Sequence, residues 1–121
     1  MAKETILVVE DSPTDMRLVM SALAGKGYNV VTAADGEEAL QKAASERPDL
    51  IVLDVILPKK NGYQVCRELK NSQETREIKV ILLSSKNQDS DKFWGMKQGA
   101  DEYLTKPFRD EDLLASVARH L

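Results

Sequence analysis

The stretch LIVLDVILPKKNG, Leu50 to Gly62, decides the fold. Leu50, Ile51, Val52 and Leu53 run on without polar alternation, the pattern of a strand covered on both faces of a parallel sheet. The run ends at one carboxylate, Asp54, and Pro58 and Gly62 punctuate the segment beyond it. Asp54 is therefore expected where a central strand gives way to a loop, an open position suited to a reactive group.

Outward from this stretch the pattern recurs. Residues Thr5 to Val9, TILVV, form a short β-branched run ending at Glu10 and Asp11, and Ser12 with Pro13 reads as a helix start. Met16, Leu18, Val19, Ala22 and Leu23 then recur at helical spacing until Gly25 and Gly27. Asn29 to Ala33 is a second strand, and Asp35 caps a helix whose Ala39, Leu40, Ala43 and Ala44 are expected to face inward before Pro48. Past Gly62, Val65, Cys66 and Leu69 fit a third helix closed by Asn71 and Ser72. Val80 to Leu83 is another fully apolar strand, ending at Ser84 and Ser85. A fourth helix is expected from Ser90 or Asp91 to Gly99, a fifth strand from Glu102 to Thr105 before Lys106 and Pro107, and a last helix carrying Leu113, Leu114, Val117 and Leu121. Adjacent Phe93 and Trp94 cannot both enter one core from one helix, so one of them is expected at the surface as an interaction anchor.

Five strands alternating with five helices imply an open, mostly parallel α/β sheet in a three-layer sandwich, because right-handed crossovers leave few other ways to bury these elements. A chain of 121 residues, 42% hydrophobic, predicts one domain over residues 1–121. The balance of 17 Lys and Arg against 20 Asp and Glu, a net charge of -3, argues against direct nucleic-acid binding. The sole cysteine, Cys66, has no partner for an internal disulfide. No cationic start leads into a long apolar segment, so no membrane insertion and a cytoplasmic location are expected.

In such sheets ligands bind beyond the carboxyl ends of the strands, which here carry Glu10 and Asp11, then Asp54, Ser84 and Lys106. Taken singly, each has an ordinary explanation as a helix cap, strand-end hydroxyl or solvated lysine. Together they do not, since three carboxylates in one crevice repel unless protonated or neutralised by a cation. Oxygen ligands without His or Cys favour magnesium over zinc. A carboxylate beside magnesium, a fixed lysine and a small hydroxyl can act as a nucleophile toward a phosphoryl group, making Asp54 an aspartyl phosphate.

With these residues in view, the chain resembles a receiver domain of a two-component response regulator, similar to the single-domain chemotaxis type. The resemblance spans essentially all of the sequence and is carried by Glu10 and Asp11, Asp54 with Pro58 and Gly62, Ser84 with Ser85, Tyr103, and Lys106 with Pro107. It implies a flavodoxin-like strand order of 2-1-3-4-5 and a cis peptide between Lys106 and Pro107. It also implies that Asp54 takes phosphate from a histidine kinase or phosphotransfer protein. Asp11, Asp54 and the carbonyl of Ile56 would ligate magnesium, with Glu10 acting through water, and Ser84 and Lys106 would hold the phosphoryl oxygens. Ser84 and Tyr103 would act as the switch, remodelling the face of the fourth helix, fifth strand and fifth helix for a downstream protein target. The segment LLSSKNQDSDKFWGMKQGADEYLTKPF is most similar to small regulators of twitching-motility and phototaxis pilus systems.

Leu57, Ser84 and Glu10 depart from the commoner Met, Thr and Asp of the family, but none removes a needed functional group. Ile56 and Lys86 stand where the family controls water access, and an apolar branched Ile56 predicts slow loss of phosphate. Such a chain is a binding switch rather than a turnover enzyme. The rival classes are an aspartate-nucleophile phosphatase, which needs an acid where Ile56 stands, and a non-phosphorylated scaffold, which the intact acids and Lys106 disfavour. Cys66 and His120 are expected to be structural.

Overall fold

The computed structural model describes residues 3–121. Its strands are β1 (Thr5–Val9), β2 (Asn29–Ala33), β3 (Leu50–Asp54), β4 (Lys79–Ser84) and β5 (Glu102–Thr105). They alternate with α1 (Pro13–Leu23), α2 (Gly36–Glu46), α3 (Gly62–Lys70), α4 (Asp89–Lys97) and α5 (Asp110–Arg119). All pairings are parallel, in the order β2-β1-β3-β4-β5. The fold is thus the flavodoxin-like sandwich, with its strand order reversing between β1 and β3.

Because side chains alternate across a strand, each buried strand feeds two cores. Leu7, Val9, Ile51, Leu53, Val80 and Leu82 pack with residues of α2 and α3, including Ala39, Ala43, Val65, Cys66 and Leu69. Ile6, Val8, Leu50, Val52, Ile81 and Leu83 pack on the other face with Val19, Ala22 and Leu23 of α1 and Leu113 and Val117 of α5. Every residue of β3 is buried, which is why its sequence shows no polar alternation.

The helix starts follow their cap residues. The Ser12 side chain accepts from the Asp15 N–H with Pro13 in the first turn, Asp35 accepts from the Glu38 N–H, and Asn61 accepts from the Gln64 N–H. Helix α4 begins at Asp89, slightly ahead of the expected Ser90 or Asp91, because the Asp91 carboxylate reaches back to accept from the Gln88 N–H at 3.1 Å.

Several inward-facing expectations change. Leu18 and Ala44 lie on the exposed flanks of α1 and α2, and Leu121 is also exposed. Phe93 and Trp94 are both at the surface, 63% and 51% exposed, with Met96 beside them. What α4 buries is Gly95. A Cβ there would stand 2.8 Å from Tyr103 Cδ2 and 2.9 Å from Leu82 Cδ1, so the helix can lie close to the sheet only through its glycine. Cys66 is fully buried, its thiol donating to the Gln98 carbonyl at 3.6 Å, and burial pushes it up to about 12. Among the described residues, no helix is long and apolar enough to cross a membrane.

Candidate functional site

Strand register sets the site. Asp54 is the last residue of β3, opposite Leu83 of β4, and Ser84 is opposite Thr105 of β5. The carboxyl ends of β1, β3, β4 and β5 therefore deliver Glu10, Asp54, Ser84 and Lys106 to one end of the sheet. The loop after Asp54 is folded tightly back: the Gly62 N–H donates to the Val55 carbonyl at 2.8 Å. A Cβ on Gly62 would fall 2.2 Å from the Asp54 carbonyl oxygen, so the start of α3 can rest against the Asp54 backbone only as glycine.

Lys106 is the hub. Its Nζ donates to Glu10 Oε2 at 2.8 Å, Asp15 Oδ2 at 2.9 Å and Asp54 Oδ2 at 3.2 Å, matching three protons to three carboxylates. The peptide bond between Lys106 and Pro107 is cis. Asp54 is 7% exposed, and its Oδ1 accepts from the Ile56 N–H at 3.2 Å. Burial, and after it the facing Asp54 carboxylate, push Glu10 up to about 7 against the pull of Lys106. Burial opposes the charge on Lys106, yet its bonds to Glu10 and Asp15 and the nearby Asp54 hold it above the ordinary lysine value.

The residues present fit a divalent cation. Glu10, Asp15 and Asp54 each offer a carboxylate oxygen within 4.8 Å of the others. Glu10 Oε1 is shielded from solvent and has no hydrogen-bond partner, which is costly unless something positive meets it. Three carboxylates around one ammonium leave two formal negative charges, and an all-oxygen donor set suits magnesium.

Asp11, expected as a direct ligand, is exposed, and its carboxylate is not in that group. Ile56 is 55% exposed and points away from the core. Ser84 is fully buried, and its Oγ accepts from the Lys86 N–H at 3.1 Å. Tyr103 is half-buried, and its hydroxyl donates to the Lys86 carbonyl at 2.8 Å. The two peptide groups of Lys86 therefore connect Ser84 to Tyr103. Farther along, the Tyr63 hydroxyl donates to the Asp91 carbonyl at 3.2 Å, and burial, with Tyr103 nearby, raises the Tyr63 phenol above its ordinary value.

Sequence reasoning missed Asp15 and the roles of the Lys86 backbone and Tyr63. Asp15 had one available signal. It follows Asp11 by four residues at the start of a helix, in the first turn, where an acid is favoured by the dipole and can share a face with the strand end.

Comparison with known proteins agrees with this geometry. Residues 6–118 match the response regulator receiver domain family. The chain is 41% identical over 112 residues to protein PilH of Pseudomonas aeruginosa, covering 93% of each chain. It is 46% identical over 112 residues to the alkaline phosphatase synthesis transcriptional regulatory protein PhoP of Bacillus subtilis. That match covers 93% of this chain but 46% of the Bacillus protein, so the chain spans less than half of that relative's length. Among solved structures, chemotaxis protein CheY4 of Vibrio cholerae superposes with a TM-score of 0.91 at 34% identity, over 99% of this chain and 100% of that one. With its parallel sheet in the order 2-1-3-4-5, an acidic cluster at the strand ends and a lysine bound into it, the chain belongs to the response regulator receiver domain family of two-component signalling.

Proposed function

We propose that this receiver is a phosphorylation-controlled switch in which Asp54 accepts a phosphoryl group from a phosphohistidine on a kinase or phosphotransfer protein. The observation that carries the reading is the buried Asp54 carboxylate at a strand end, bonded to Lys106 and facing Glu10, whose second oxygen is unpartnered. A carboxylate oxygen of Asp54 attacks phosphorus while the bond to the donor imidazole nitrogen breaks, and the electron pair leaves with that ring. Lys106 supplies a fixed positive charge to the transferring oxygens, and the Ser84 hydroxyl donates to one of them. Asp11, Asp54 and the Ile56 carbonyl, with Glu10 through water, would hold magnesium, which supplies charge neutralisation on the phosphoryl oxygens when bound.

The output runs through Lys86. Drawing Ser84 toward phosphate disturbs its bond from the Lys86 N–H, and the Lys86 carbonyl is the acceptor that keeps Tyr103 in place. Tyr103 packs against Gly95 of α4, so the surface of α4, β5 and α5 responds, and a downstream protein binds one of its two states better. The exposed Phe93, Trp94 and Met96 give that surface its apolar anchors. Similarity of residues 82–108 to small pilus-motility regulators, together with the near full-length match to PilH, favours a cytoplasmic role in motility signalling for a receiver domain over residues 1–121. A phosphatase reading lacks support, since the position for its second acid is Ile56.

The test is the intact mass of the protein after incubation with a small phosphodonor and magnesium, compared with Asp54→Ala. Gain of one phosphoryl group by the parent alone supports the reading. No gain in the parent, or an equal gain in the mutant, overturns it.

A further inference from the structure

Lys106 meets a conflict at this site. Its ammonium already uses Glu10 and Asp54, the two most buried of the three carboxylates that cluster to fit a divalent cation, and two cations competing for these shared carboxylates would repel each other. Asp15 changes the balance. Its Oδ2 lies 2.9 Å from the same Nζ, and its side chain is 36% exposed against 2% for Glu10 and 8% for Asp54. It stands on the solvent side of the cluster, in the first turn of α1. That position in a helix is one where an acid commonly folds back onto the cap residue. Here the carboxylate goes to Lys106 instead.

We infer that Asp15 is a positioning residue: it gives Lys106 a counter-ion of its own, so that the ammonium and the metal are held at the site together rather than in competition. The inference rests on the proposed magnesium-dependent reading and adds a role for a residue outside its phosphoacceptor chemistry. With the cation on Glu10 and Asp54, Lys106 loses part of two bonds and keeps the third. Its charge stays beside Asp54, where the incoming phosphoryl oxygens need it. Without Asp15, Lys106 must retain Glu10 and Asp54 as its only partners, and the metal enters at its expense.

A double-mutant cycle on magnesium affinity separates this role from simpler ones. The parent, Asp15→Asn, Lys106→Met and the double variant are titrated with magnesium chloride, and binding is followed by backbone amide shifts around Asp54. Both substitutions preserve side-chain size, and the readout does not require phosphorylation. Asp15→Asn is expected to weaken magnesium binding roughly threefold to tenfold when Lys106 is present, and by less than about twofold in the Lys106→Met background. Equal losses in both backgrounds would show that Asp15 acts on the metal directly, as ligand or bulk charge, and would overturn the inference; so would no loss in either. If the parent itself fails to bind magnesium, the underlying magnesium-dependent reading falls and the inference with it. Binding by the parent without coupling removes only the role of Asp15.

Discussion

The ring of Tyr103 lies against the backbone of Gly95 so closely that a single added methyl group would stand 2.8 Å from its Cδ2. Gly95→Ala tests this contact. Alanine would improve helix propensity by about 1 kcal/mol, while overpacking of a close contact costs about 1–3 kcal/mol. Leu82 is fully buried and the Tyr103 hydroxyl is tied to Lys86, so neither neighbour can yield freely. Urea unfolding should show a net loss of up to about 2 kcal/mol. A stabilised variant would mean that the helix moves away from the sheet at little cost.

Gly62→Ala should be far more damaging. The added carbon would fall 2.2 Å from the Asp54 carbonyl oxygen and 2.8 Å from Val55 Cα, and backbone cannot rotate out of the way as a side chain can. A loss above about 3 kcal/mol is expected in the same unfolding measurement, with shifted amide resonances around Asp54. An unperturbed spectrum would sink the claim that this glycine sets the position of the loop.

Glu10 gives the metal-free protein a defined pH response. Its ordinary value is 4.5 and the folded value is about 7. Between those values the native state keeps a proton that the unfolded chain has lost, so the contribution of Glu10 to stability falls as pH rises and levels off above about 7. With metal chelated, the melting temperature of the parent should therefore decline relative to Glu10→Gln from pH 4.5 to 7. Magnesium must displace the same proton, so its apparent affinity should climb over this window. Parallel melting curves for the two proteins would remove Glu10 as the titrating group.

Ile56 is exposed beside the phosphoacceptor, and its branched hydrocarbon side chain cannot orient an attacking water. In purified, magnesium-containing protein, the phosphorylated form should persist well beyond seconds. Ile56→Asn, which restores a donor and an acceptor, should shorten its lifetime roughly tenfold by positioning water. Both are read from decay of the phosphorylated mass after donor removal. An unchanged lifetime in the variant would place control of hydrolysis elsewhere.

The strands were readable because burial on both faces leaves a signal in the sequence itself, clearest in Leu50 to Leu53 and in Val80 to Leu83. Helix starts at Ser12 and Asp35 come from local hydrogen bonds that a short window contains. Helix α4 was harder. Its buried contact is a glycine and its large apolar residues point outward, so the pattern that normally marks the inner face is inverted. Leu18 and Ala44 misled for a related reason: an apolar letter at helical spacing does not say whether the stripe is wide enough to reach the core. At the site, convergence of Glu10, Asp54, Ser84 and Lys106 came from sheet topology. Asp15 did not, because its partner lies 91 residues away and only the folded chain brings the two together. The Lys86 link was hidden for another reason, since it uses backbone groups that nearly every residue type possesses.

The condition of Cys66 makes the proposed switching directly observable. Fully enclosed, and ionising only near pH 12, the sole thiol of the chain is silent toward alkylating dyes at neutral pH. A second cysteine placed at exposed Asn87, in the connection between β4 and α4, would then take a fluorophore selectively in an otherwise unaltered protein. A change in its emission on addition of phosphodonor and magnesium would track the movement of that connection in real time, without a partner protein in the cuvette.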